Sequence, residues 1–207
     1  MASGSSIRTR ARAAADEVQR NLIIEATCDV IAADGLEGAS LRRIAESLEC
    51  TTGLITHYFS SKDDLLVTAL ERVIQLMTGG KSVASDRVIP LAERLEHFFS
   101  SLPTSGDTRR FWLVLSAFRA ASVGNPGLAA VYERLGEESL ATLCASVGHE
   151  LGRRPEDPGV VSVAAAINAV MEGFGDGAAF SPELYRPEMV RRHVSTMVAA
   201  LIDAART

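Results

Sequence analysis

Apolar positions recur with a helical period along almost the whole chain, and no stretch shows the strict alternation of a half-buried strand. The first periodic stretch sets Leu22, Ile23, Ala26, Val30 and Ala33 on one stripe and closes at Asp34-Gly35. Ser40 is placed to cap a short helix over Leu41 to Leu48, and Thr51 or Thr52 to cap a very short one after it. Ser61 is placed to cap a fourth beginning at Lys62, with Asp63 and Asp64 in the first turn, where the helix dipole favours acids. That helix is expected to reach about Met77 and stop at Thr78-Gly79-Gly80. Later stretches occupy roughly 87–101, 107–123, 126–151, 156–179 and 187–205, separated by segments rich in Pro and Gly. The pattern predicts an all-α fold of about nine helices behind an unstructured Ser/Gly/Arg arm over roughly 1–12.

Composition supports a packed helical chain: 47% of its 207 residues are hydrophobic but only 5% aromatic, so Ala, Val and Leu must supply the core. The net charge of −5 gives no sign of a nucleic-acid coat protein, and residues 1–62 alone carry seven basic against eight acidic groups. Only placement is suggestive. Arg8, Arg10 and Arg12 lie together with no acid before Asp16, which suits either a solubilising tail or an arm reaching into a minor groove. Cys28, Cys50 and Cys144 have no metal or redox spacing, and the N-terminus lacks the apolar run of a signal peptide. No run of 18 apolar residues exists; the longest, Val160 to Met171, is interrupted by Ser162 and Asn168. A soluble protein of the reduced cytoplasm is expected.

Several fragments mimic catalytic or cofactor motifs and fail on context. Gly80-Lys81-Ser82 lacks the earlier glycine and preceding strand of a phosphate-binding loop. His149-Glu150 is followed by Arg153 where a zinc protease needs its second histidine, and Gly173-Phe174-Gly175-Asp176-Gly177 has no strand before it. The four histidines show no ligand spacing, and no Ser or Cys sits in a nucleophile elbow. Neither catalysis nor a cofactor or metal is expected.

Between Ser40 and Lys62 the pattern is more specific. The first short helix is apolar at Leu41, Ile44, Ala45 and Leu48, and the second at Ile55 and Phe59. Two such helices, joined by so few residues, can bury both faces only by crossing steeply against the first helix. The second then exposes Thr52, Gly53, Thr56 and His57, groups small or polar enough to let a helix backbone approach base edges in a major groove.

The run Leu41-Arg42-Arg43-Ile44-Ala45-Glu46-Ser47-Leu48, continued by Thr51 through Leu66, resembles the helix-turn-helix and fourth-helix start of the TetR family of transcriptional regulators. The resemblance is clear from about residue 16 to 75 and continues beyond by helix count and layout. It implies base contacts from Arg42, Thr52, Gly53, Thr56 and His57, and phosphate contacts from Ser40, Thr51, Tyr58 and Lys62. One departure is the turn. The family usually has Gly and a small aliphatic residue where this chain has Glu49-Cys50, so Glu49 is expected to carry left-handed strain and to point away from the duplex.

The expected organisation is a DNA-binding domain over 1–62 and a ligand-sensing, dimerising domain over 63–207. On the last helix, Val190, Val194, Met197, Val198, Leu201 and Ile202 form a stripe. With the helix near 156–179, it could form half of an intermolecular four-helix bundle or simply close the chain's own core. A two-fold dimer would let two recognition helices read a palindromic operator.

A cavity is expected from Phe111, Trp112, Leu115 and Phe118 on one helix, Tyr132 on the next, and Asn168, Met171, Glu172 and Phe174 on another. This layout is similar to the BetI-type branch of the family. Trp112 and Glu172 suit a cationic effector, an apolar one fits equally, and Glu172 could instead pair with Arg119. The expected function is a ligand-responsive regulator, by default a repressor released from DNA by a small molecule. The rivals are an all-α small-molecule-binding protein or an enzyme, either without a DNA role.

Overall fold

The computed structural model describes residues 3–77 and 88–206, with side chains over 12–76 and 88–206. Among the described residues every regular element is an α-helix. In chain order they are α1 Ser3–Gly38, α2 Leu41–Ser47, α3 Thr52–Tyr58, α4 Lys62–Met77 and α5 Leu91–Ser101, then α6 Gly106–Ser122, α7 Pro126–Leu151, α8 Pro158–Phe180 and α9 Pro187–Arg206.

Three boundaries differ from expectation. α1 begins at Ser3, so the segment expected to be an unstructured arm is helical; its Ala and Arg residues are strong helix formers, and no Pro or Gly lies between Gly4 and Gly35. Asp34-Gly35 does not end α1 but kinks it: Gly35 sits at φ 72° and ψ 176°, and helix resumes to Gly38. α5 starts at Leu91 rather than near 87 because Pro90 disfavours a helical conformation at Ile89, the residue before it. The Gly79-Gly80 stop, the Gly80-Lys81-Ser82 fragment and the side chains of Arg8 and Arg10 lie outside the described residues.

The chain divides into two compact units, Met1–Arg72 and Val73–Thr207, with the division inside α4. In the first, Ile23, Ile24, Val30 and Ile31 of α1 are buried, as are Ile44, Ile55, Phe59 and Leu65 of the following segments. Leu22 and Ala33, expected on the buried stripe, are exposed. The inward face of α1 is rotated towards Thr27, whose hydroxyl donates to the Ile23 carbonyl at 2.7 Å, and Cys28.

The α2–α3 turn is a Schellman closure. The Cys50 N–H donates to the Ala45 carbonyl at 3.0 Å and the Glu49 N–H to that of Glu46 at 3.2 Å. This places Glu49 at φ 52°, the single non-glycine residue with positive φ among those described. The same closure at the end of α7 uses Gly152, at φ 64°.

In the second unit, α8 packs against α7 and α9, and α6 against α7 and α8. The α9 stripe mostly closes this unit's own core. Val190, Val194, Val198 and Ile202 are buried beside Val160, Ala164 and Ile167 of α8, and Met197 stays exposed. The glycines of the 173–177 run have packing roles. A Cβ on Gly175 would fall 1.9 Å from the Trp112 ring, and one on Gly177 2.8 Å from Tyr185. By length and composition α8 could cross a membrane. It also bears Glu172 and Asp176, both ion-paired with Arg119 of α6.

Candidate DNA-binding surface and ligand cavity

Local caps set the recognition segment. The Ser40 hydroxyl accepts from the Arg43 N–H at 3.1 Å, and the Ser61 hydroxyl accepts from Asp64 at 3.0 Å. Asp64 answers by accepting from the Ser60 N–H and hydroxyl, each at 2.9 Å, which holds its carboxyl below the usual aspartate range. α3 is thereby fixed between two defined turns, with Ile55 at its middle and Phe59 just past its end both buried.

On the opposite side of α3, Thr51, Thr52, Gly53, Thr56 and His57 are all exposed, as are Ser40 and Arg42; Tyr58 and Lys62 are half-buried. These nine positions therefore remain at or near the surface. Four have partners within the protein: besides the Ser40 cap, the Thr56 hydroxyl donates to the Gly53 carbonyl at 3.2 Å, Arg42 is ion-paired with Glu46 at 2.9 Å, and the Tyr58 hydroxyl donates to Asp16 of α1 at 3.3 Å. Partial burial, then the Asp16 carboxylate, raises the Tyr58 hydroxyl above its ordinary pKa. Glu49 is exposed. Arg43, not singled out in the sequence, is held by Asp34 at 2.8 Å and braces the turn after the α1 kink.

The second unit contains a cavity of about 140 Å³. Six of the nine residues expected there line it: Trp112, Leu115, Tyr132, Asn168, Met171 and Glu172. Phe111, Phe118 and Phe174 do not. Phe118 is wholly buried, Phe111 lies under the Arg110 guanidinium, and Phe174 packs between Tyr185 and His193. Two further walls, not expected from the sequence, are supplied by α5, where Arg94, His97, Phe98 and Ser101 face the cavity, and by the α7 face of Leu135, Gly136, Ser139 and Leu143. Ile74 of α4 completes it.

Trp112 is held by a hydrogen bond from its indole N–H to the Ser101 carbonyl at 2.8 Å and by edge-on contact with Phe98. At the polar end, Arg119 donates to the Tyr132 hydroxyl at 2.9 Å and pairs with Asp176 and Glu172. Burial alone would lower its pKa, but Tyr132 and the two carboxylates outweigh that and hold the guanidinium firmly charged. Glu172 also accepts from Asn168 at 2.9 Å. Arg94 has a different setting: it donates to Ser146 at 2.9 Å and to the Thr142 carbonyl at 3.1 Å, both neutral acceptors on α7.

Residues 23–69 match the model of bacterial regulatory proteins of the tetR family, and residues 91–203 match that of the BetI-type transcriptional repressor C-terminal domain. The chain belongs to the TetR family. As a TetR-family, BetI-type protein it is a transcriptional regulator and not an enzyme, with a helix-turn-helix domain followed in sequence by a second domain whose described elements are all α-helices.

Among its relatives, the HTH-type transcriptional regulator PksA of Bacillus subtilis is 37% identical over 105 residues, 50% of this chain and 51% of that protein. The chain thus spans about half the length of that relative. The HTH-type transcriptional regulator BetI of Paraburkholderia phytofirmans is 27% identical over 74% of this chain and 80% of its own. A solved structure from Saccharomonospora viridis, described as a transcriptional regulator in complex with choline, shares the fold. Its TM-score is 0.69 at 24% identity, over 87% of this chain and 95% of that one.

Proposed function

We propose that this TetR-family regulator binds a palindromic operator as a homodimer and is released from it by a small molecule held in the cavity. The observation that carries the reading is the two-sidedness of α3. Ile55 and Phe59 are buried, while Thr52, Gly53, Thr56 and His57 stand bare on the other side. Those four residues, with Arg42, would face bases. Ser40, Thr51, Lys62 and Tyr58 would meet phosphates, Tyr58 by exchanging Asp16 for the DNA.

The dimer would form through α8 and α9. With the α9 stripe spent on the core, the free surface is a row of small side chains on α8 (Val161, Ala165, Ala169, Gly173) with Met197 and Ala200 of α9, all exposed. Small residues let two helix pairs approach closely in a four-helix bundle. The dimer would then present two copies of α3 to half-sites about 34–36 Å apart. An occupied cavity would act through Ile74, on the C-terminal part of α4, the same helix that Ser61 caps beside the recognition segment. The protein would work in the cytoplasm with its three cysteines reduced; none is in a disulfide.

Fluorescence anisotropy against the DNA flanking its own gene tests the reading. Salt-sensitive binding that survives excess random competitor is expected. His57→Ala or Thr56→Ala should relax sequence preference, whereas Lys62→Ala should weaken binding to all sequences alike. Equal affinity for random DNA would overturn the operator reading.

A further inference from the structure

We propose that the cavity is built for an anion: a compact apolar or aromatic molecule bearing a carboxylate, received by Arg94. The inference rests on the ligand-release reading and names the chemical class of the effector. It also departs from the cationic ligand that Trp112 and Glu172 suggest in the sequence.

The charges around the cavity decide the sign. Glu172, the acid a cation would need, already has both carboxylate oxygens engaged, one with Asn168 and the other with Arg119. Its side chain is also 44% exposed, so solvent screens what charge remains. Asp176 is likewise taken, by Arg119 and by the Ser116 hydroxyl. A cation at this end would meet only the single negative charge that two acids leave after pairing with Arg119, at a partly solvated site.

Arg94 presents the opposite case. It lines the cavity from α5, and its two hydrogen bonds go to a hydroxyl and a carbonyl. No carboxylate among the described residues forms an ion pair with it. Burial alone perturbs its guanidinium, downward, with no acid contributing. A guanidinium has five N–H donors, of which Ser146 and Thr142 occupy only two, so a carboxylate could still be met by a charge-assisted fork. His97 faces the same space one turn along α5 and offers a second ring donor.

Ile74, Phe98, Trp112, Leu135 and Leu143 supply an apolar wall for the ligand body, with Ser101 and Ser139 as the small polar groups among them. Arg94 is anchored at Thr142 of α7 and the Arg119 cluster at Tyr132, about 15 Å apart along that helix at 1.5 Å per residue. The anionic head is thus kept away from Glu172 and Asp176. A volume near 140 Å³ is that of a cavity able to hold one benzene-sized ring.

Three probes built on one benzene ring isolate the charge: benzoate, benzamide and benzylammonium. Trp112, the sole tryptophan and part of the wall, reports their binding by its fluorescence. The carboxylate should bind at least tenfold tighter than either the amide or the ammonium. Arg94→Gln should erase that preference while leaving amide affinity within about twofold. If Arg94→Gln loses all three probes, Arg94→Lys decides: a retained preference for acid over amide supports the proposal, and its loss overturns it.

Equal binding of acid and amide, tighter binding of the ammonium, or no binding of any probe would also overturn it. Operator release, read by anisotropy, separates the two claims. An ammonium that binds and releases DNA sinks the anion and leaves the ligand-release reading intact. A carboxylate that binds through Arg94 without affecting DNA supports the anion and sinks ligand release.

Discussion

Glu49 shows most directly how a single side chain can work against its backbone. The Schellman closure after α2 demands a left-handed residue, which glycine supplies after α7 and Glu49 supplies here at φ 52°. A side chain in that region costs about 1 kcal/mol or somewhat more, so Glu49→Gly should raise stability by about 1 kcal/mol. By chemical denaturation the gain should appear as a later midpoint with unchanged slope, and a loss would mean that Glu49 makes a compensating contact. Gly175 is the reverse case, a place where nothing but hydrogen fits. Gly175→Ala drives a methyl into Trp112 and should cost about 1–3 kcal/mol as an overpacked core. The emission of that tryptophan should change with it, while helix content is kept. Asp64 adds a pH dependence. Its carboxyl is held below the ordinary 3.8 by Ser60, so its stabilising effect is complete above that value and fades as pH falls through the lower folded one. Asp64→Asn should flatten that part of the acid limb, and an unchanged limb would show that the cap does not titrate.

At the scale of elements, α8 carries the sharpest test. Ala169 is exposed in the small-residue row, so Ala169→Glu should leave the fold intact and place like charges face to face at a two-fold interface. Light scattering should then report monomers and operator affinity should fall at least tenfold; an unchanged dimer would move the interface off α8. The helices themselves were largely legible. Pro126, Pro158 and Pro187 open α7, α8 and α9, and Ser40 and Ser61 cap as their spacing implies. What escaped were features decided by tertiary packing. Leu91 to Ser101 reads as an ordinary amphipathic helix, and nothing local distinguishes Arg94 from a solvated charge. Its partners Thr142 and Ser146 lie about fifty residues on. Phe111, Phe118 and Phe174 were equally opaque, because helical periodicity marks an inward face without saying whether a void or another side chain meets it. The α9 stripe was ambiguous for the same reason: apolar periodicity fits a chain's own core and a dimer seam alike.

For the whole molecule, the proposed mechanism is a coupling between two sites, and coupling free energy is reciprocal. If a ligand in the cavity lowers operator affinity by some factor, operator DNA must lower affinity for that ligand by the same factor. Two-state regulators of this kind work with factors of roughly 5–150. The cavity is small and most of its polar groups are already paired, so the differential contacts available are few: Arg94, His97, Ser139 and the free side of Tyr132. A factor towards the lower end is therefore expected. The check uses Trp112 for one leg, titrating probe with and without saturating operator, and anisotropy for the other, titrating operator with and without saturating probe. Equal factors would show one equilibrium biased from both ends. If saturating operator left probe affinity untouched while probe still displaced DNA, the probe would be acting at the DNA-binding face itself, and α4 would have no part in the signal.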